Sequence, residues 1–170
     1  MSVPVALDTS ILSDIAAEWP SPDFPESKME DRKAIDELLN LARQDSVELG
    51  IAVTGAAMEQ LQAGPRKRQI LASRLDGLLH IWPVTVTRDQ HAEIERKKVC
   101  LKKIMQDRGG LDSDIFLVST LHSQYFLTTD YRYCRQFRKQ EGRIKDRCGI
   151  TAHVLTPSEF LAKWVSGNGK

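Results

Sequence analysis

Apolar positions along this chain come in two alternating rhythms. Val3 to Leu7 is a short apolar run bounded by Asp8-Thr9-Ser10, which reads as a buried strand ending at Asp8. Ile11, Leu12 and Ile15 open a short helix that Pro20, Pro22 and Pro25 break, so 18–29 reads as a proline-rich insertion. Ile35, Leu38, Leu39 and Ala42 then recur at helical spacing as far as Arg43. Val47 to Thr54 predicts a second strand, weakened by Gly50. Gly55 opens a helix that carries Glu59 in its first turns and ends at Gly64-Pro65.

The same alternation continues to the far end. Ile70, Leu71, Leu75, Leu78 and Leu79 predict a helix, and Ile81 to Val86 a third strand or an extended link, with Pro83 marking an edge position. Thr87 to Asp107 reads as mostly helical and Gly109-Gly110 stops it; the next helix starts near Asp112 and carries Ile115, Leu117, Val118 and Leu121. Tyr125 to Thr129 predicts a fourth strand ending at Asp130, followed by a basic helix over Tyr131 to Lys139. His153 to Thr156 makes a fifth strand, Pro157 begins a closing helix, and 166–170 is a frayed tail. Strands alternating with helices predict an α/β fold, a mainly parallel sheet of about five strands flanked by helices. With 170 residues, one domain over 1–165 accounts for the chain.

Composition narrows the classes. Apolar residues make up 41% and charged residues 28%, a balance typical of soluble domains. No apolar run approaches the roughly 20 residues that cross a bilayer, and Asp8 and Asp14 interrupt any leader-like stretch, so a cytoplasmic protein is expected. Cys100, Cys134 and Cys148 lack zinc-ligand spacing, and His80, His91, His122 and His153 do not cluster with them. All three are expected as reduced thiols. The net charge of +1 hides an asymmetry: residues 1–60 hold 12 acids and 4 bases, whereas 61–170 hold 20 bases and 11 acids. Arg132, Arg135, Arg138, Lys139, Arg143, Lys145 and Arg147 crowd into 131–147 beside only Glu141 and Asp146, either a solvated helix face or a phosphate-binding stretch.

Four scattered acids gain meaning from the predicted topology. In a parallel α/β sheet, strand carboxyl ends and the starts of the returning helices share one edge, where ligands bind. Asp8 and Asp130 end strands, Glu59 rides the helix after strand 2, and Asp114 begins the helix before strand 4. Singly, each has a plainer role, since Asp8, Asp114 and Asp130 can serve helix starts and Glu59 can be a solvated charge. Asp112 is a better cap candidate than Asp114. Together, clustered carboxylates raise one another's pKa unless a cation neutralises them. An oxygen-only set suits Mg²⁺ or Mn²⁺, which can lower the pKa of a water and offset charge on a phosphoryl oxygen. Phosphodiester hydrolysis is the chemistry that fits.

These segments resemble PIN-domain proteins. VALDTSIL is similar to the family's first strand and acid, IAVTGAAMEQL loosely to its second motif, and LDSDIFLVSTL to its third. YFLTTD resembles the strand that ends in the next acid, and VLTPSEFL the closing strand and helix of bacterial toxin-type members. The resemblance implies a three-layer fold and a metal-dependent endoribonuclease. Asp8, Asp114 and Asp130 are implied as metal ligands, with Glu59 a catalytic acid acting directly or through water. Thr9, Ser10 and Thr129 are implied as supports for the carboxylates or the scissile phosphate, and Asp112 as a substitute ligand. It also implies RNA as substrate, an antitoxin as possible partner and a possible homodimer. On this reading Arg132, Arg135, Arg138 and Lys139 hold the RNA backbone. A further acid that many relatives carry after the last motif is replaced here by Tyr133, Cys134 and Arg135.

Two other readings compete. A phosphohydrolase of the haloacid dehalogenase kind wants a second Asp two residues after the first, and position 10 is Ser. A non-catalytic PIN-like module that binds RNA or a protein needs only the fold and the basic face.

Overall fold

The computed structural model describes residues 1–52, 65–75, 77–82, 86–106 and 110–168. In order, its elements are β1 (Val3–Leu7), α1 (Thr9–Ala16), α2 (Met29–Arg43), β2 (Val47–Ala52), α3 (Pro65–Leu75) and β3 (Leu79–Trp82). There follow α4 (Arg88–Met105), α5 (Gly110–Ser119), β4 (Tyr125–Leu127), α6 (Tyr131–Lys139), α7 (Glu141–Cys148), β5 (His153–Leu155) and α8 (Pro157–Asn168). The fold is α/β, as the alternation predicts: a five-stranded, all-parallel sheet in the order β3-β2-β1-β4-β5, flanked by helices.

This order has one topological reversal. From β1 the chain steps outward to β2 and β3, then crosses back to place β4 on the other side of β1. Because such crossovers are right-handed, the helices before β3 and those between β3 and β5 cover opposite faces. The helix contacts agree: α1 packs on α2 and α3, and α2 on α8, while α4 packs on α5 and α7. Central strands buried on both faces explain why β1, β2 and β4 read as nearly unbroken apolar runs. Phe116 on α5 and Phe126 on β4 meet edge to face in the core, and Phe116 also meets Phe137 of α6.

Several boundaries differ from expectation. Leu78 and Leu79 are not helical; α3 stops at Leu75, Gly77 turns with φ of 76°, and Leu79 already pairs with Leu49. The sheet position of β3 is an edge, as the Pro83 signal implied, though Pro83 itself lies outside the described residues. The long helix is capped by a reciprocal Thr87–Gln90 box and ends at Gln106, which takes the left-handed conformation, rather than at the glycine pair. A separate helix, α7, occupies 141–148, where no element was predicted. Ser166 to Asn168 belong to α8 rather than to a frayed tail, and Ser166 Oγ donates to the Ala162 carbonyl at 2.8 Å.

Gly50 weakens no strand here; it makes room. A Cβ at that position would lie 2.2 Å from Cε2 and Cζ2 of Trp82 on the neighbouring strand. The indole lies across the glycine, donates from Nε1 to Glu48 Oε1 at 3.1 Å, and stacks on His122. Trp82 is therefore a core residue and Trp19 packs against Phe24 and Arg32.

The cysteines overturn one expectation. Cys100 on α4 and Cys148 at the end of α7 are joined in a disulfide, Cα to Cα 5.7 Å. Helix packing brings together two positions that are 48 residues apart, which spacing rules tuned to short motifs do not detect. Only Cys134 is a free thiol, and it is buried. Among the described residues, no helix is long and apolar enough to cross a membrane.

Candidate active site at the topological reversal

The reversal sets β1 beside β4, and their carboxyl ends deliver Asp8 and Asp130. The Asp8 amide donates to the Leu127 carbonyl at 2.9 Å, so the sheet ladder itself carries Asp8 alongside the end of β4. Each acid also begins a helix. Asp8 caps α1 through the Thr9 amide at 2.8 Å, and Asp130 caps α6, its Oδ1 accepting from the Tyr133 amide at 3.1 Å.

A hydroxyl network joins the two acids. Thr128 Oγ1 donates to Asp8 Oδ2 at 2.7 Å and accepts from the Asp130 amide at 3.0 Å. Ser10 Oγ donates to the same Oδ2 at 2.9 Å and accepts from the Thr129 amide at 3.1 Å. Each hydroxyl directs its single proton at Asp8, so Oδ2 has both lone pairs engaged. Oδ1 takes the Thr9 amide and a long 3.4 Å contact from Thr9 Oγ1, which leaves it room for one more partner. Among the described residues, Oδ2 of Asp130 accepts no hydrogen bond.

Asp8 is only 3% exposed. Burial pushes its carboxyl above the ordinary value; the Thr128, Ser10 and Thr9 hydrogen bonds pull against that shift, and the nearby Asp130 charge adds to it. A buried carboxylate whose charge is opposed by its surroundings, with one oxygen able to take another partner and a second carboxylate close by, is a setting that a hard cation would relieve.

Of the four predicted acids, Asp8 and Asp130 come together. Asp114, on α5, instead pairs with Lys98 Nζ of α4 at 2.9 Å. Glu59 and the side chain of Asp112 lie outside the described residues. Among the described residues, no group of three His, Cys, Asp or Glu side chains is arranged to hold a metal ion. Thr9 and Ser10 do support Asp8, as expected, but the threonine that does so, just past the end of β4, is Thr128. Thr129 instead points its hydroxyl at Asp14 Oδ2, 2.6 Å away.

Asp14 was missed by the sequence reading. It is buried on α1, one turn after Ser10, and its other oxygen meets Lys28 Nζ at 3.1 Å. The signal was present: positions 10 and 14 share a helix face, so a polar pair there inside an apolar helix points to a polar neighbour. Asp31 was missed too. It accepts from Tyr131 Oη at 2.5 Å and the Ser158 amide at 2.9 Å, tying α2 to the starts of α6 and α8. Burial, and after it the Asp31 bond, raises the Tyr131 phenol well above its usual range.

Helix α6 separates two clefts. On one side, about 410 Å³ is lined by Asp31, Tyr131, Cys134, Arg138, Ser158 and Glu159, among others. Arg138 is committed there in a two-pronged bond to Glu159, at 2.7 and 2.5 Å. On the other side, about 400 Å³ lies between α6 and the end of α4, lined by Arg132, Arg135, Lys139 and the amides of Gln106, Gln136 and Gln140.

Comparison with protein-family models, with curated proteins and with solved structures found no match.

Proposed function

We propose that this chain is a PIN-like, Mg²⁺- or Mn²⁺-dependent ribonuclease whose reacting centre is at Asp8 and Asp130. The observation that carries this reading is the buried, charge-disfavoured Asp8 carboxylate beside Asp130 at the point where strand order reverses, the crevice in which open α/β sheets bind ligands. Asp8 Oδ1 and Asp130 Oδ2 are the oxygens that would hold the ion, which when bound supplies Lewis-acid stabilisation of phosphoryl charge. Thr128 and Ser10 fix the Asp8 carboxylate, so its orientation does not depend on the substrate. Asp114 joins such a set only when Lys98 releases it. Glu59 completes it in the PIN-like arrangement.

The resemblance supports a narrower form of this proposal: a toxin restrained by an antitoxin, acting as a homodimer on RNA in the cytoplasm. The Cys100–Cys148 bond would face a reducing thiol pool there.

The Lys98–Asp114 pair favours a second reading, a PIN-like module that binds RNA or a protein without cutting it. Cleavage of a mixed single-stranded and structured RNA pool with Mn²⁺, run beside Asp8→Asn, separates the two. Cleavage lost in the variant and in chelator is expected for the nuclease. A folded wild type that binds RNA but neither cleaves it nor binds Mn²⁺ means the module.

A further inference from the structure

The seven bases of 131–147 are not equivalent once folded. Arg138 is neutralised by Glu159, and its side of α6 carries the carboxylates of Asp31 and Glu159. Toward α4, Arg132, Arg135 and Lys139 are exposed and line the α4–α6 cleft with three side-chain amides and Ile104; Arg135 also borders the cleft on the Arg138 side. No carboxylate lines that cleft among the described residues, and none of the three cations has an ion pair there. Arg135 uses Nε on the Tyr131 carbonyl at 3.3 Å, and its terminal guanidinium nitrogens make no hydrogen bond among the described residues. Gln136 donates to the Met105 carbonyl at 3.0 Å, tying α6 to the end of α4 across the cleft.

We infer that the α4–α6 cleft is a phosphodiester-strand subsite in which Arg132, Arg135 and Lys139, but not Arg138, bind successive phosphates of one RNA strand leading away from Asp130. The choice of RNA rests on the ribonuclease reading; the cleft's preference for phosphate rests on its own chemistry. Guanidinium forks and amide N–H groups match phosphate oxygens, and the three cations share one helix face over about 10 Å of axis. That face starts at Arg132, two residues after the Asp130 cap. The Arg138 side holds Asp31 and the Arg138–Glu159 pair and offers a polyanion no net positive charge, so the strand follows the α4 side. An acidic protein segment would find the same charge and the same forks, so competition by polyglutamate is the control that separates it from RNA.

The test is anisotropy of a fluorescent single-stranded oligoribonucleotide across a salt series in chelator, where no cleavage occurs. Failure to bind then leaves the cleavage question open, and failure to cleave leaves this one open. Wild type, Arg132→Ala/Arg135→Ala/Lys139→Ala, Arg138→Ala and Arg143→Ala/Arg147→Ala are compared, with circular dichroism confirming the fold. The triple variant is expected to bind at least about tenfold more weakly, with a log–log salt slope shallower by about 2. Arg138→Ala is expected to keep the wild-type slope. A triple variant with an unchanged slope, an equal loss in Arg143→Ala/Arg147→Ala, or polyglutamate competing as well as RNA would each overturn the subsite.

Discussion

Thr128 Oγ1 lies 2.7 Å from Asp8 Oδ2, a bond that spans 120 residues of chain and joins the carboxyl ends of two adjacent strands. The same oxygen accepts the Asp130 amide, so one hydroxyl holds both acids in register. Thr128→Val keeps the shape and removes the donor. It is expected to cost about 1–3 kcal/mol, because a buried carboxylate loses a partner, and to raise the Asp8 pKa further. Carboxyl titration by NMR in the two proteins checks this; an unmoved Asp8 resonance would refute it.

Asp8 also makes stability depend on pH in a defined direction. Its folded pKa lies above the ordinary aspartate value, so the folded state holds this proton more tightly than the unfolded state does. The group's contribution is then fully present below the unfolded pKa and is lost as pH rises through the folded one. Asp8→Asn removes this dependence, and its amide can still meet the rotatable hydroxyls of Ser10 and Thr128. Urea unfolding of both proteins across the acid range should show the variant gaining on wild type as pH rises. A constant difference would mean the charge is not opposed.

Divalent ions should act through the same carboxylate. Under the ribonuclease reading, Mn²⁺ at about 100 times its Kd stabilises wild type by about 2.7 kcal/mol and leaves Asp8→Asn unshifted. Lys98→Gln frees Asp114 and is expected to tighten Mn²⁺ by up to about fivefold, the size of an exposed ion pair worth about 1 kcal/mol. Calorimetry decides it. Affinity unchanged by both Lys98→Gln and Asp114→Asn would remove Asp114 from the site.

Gly50→Ala tests the packing that the edge strand depends on. The added Cβ would meet the indole of Trp82 at 2.2 Å, forcing it off Glu48 and His122. A loss of about 1–3 kcal/mol is expected from overpacking. Thermal unfolding together with Trp fluorescence reads both the loss and the displaced ring.

The three cysteines should report differently to an alkylating reagent. Burial pushes the Cys134 thiol up to about 11, so at pH 8 only about one molecule in a thousand carries the thiolate there. Native protein should label at none of the three, and reduced protein at Cys100 first, since Cys148 is fully buried. Cys100→Ser is expected to cost about 4 kcal/mol by the loop-entropy relation for 48 residues. Rapid labelling at Cys134 in folded protein would contradict its burial.

What the sequence determined by itself was local and periodic. The apolar runs ending in Asp8 and Asp130, the helical spacing of α2, and the proline starting α8 each follow from backbone preference and one buried face. The alternation of strand and helix then leads to a parallel sheet. The strand order that sets β1 beside β4 agrees with the expectation that Asp8 and Asp130 share an edge. The rest depended on which side chains meet across distant elements. Thr128 and not Thr129 faces Asp8; both lie past the end of β4, where a residue's direction has no period to read. Lys98 reaches Asp114, Cys100 reaches Cys148, and Glu159 claims Arg138, because helix packing sets those distances and sequence separation does not. A charge run states how many cations there are; only the tertiary structure decides which of them already have a partner.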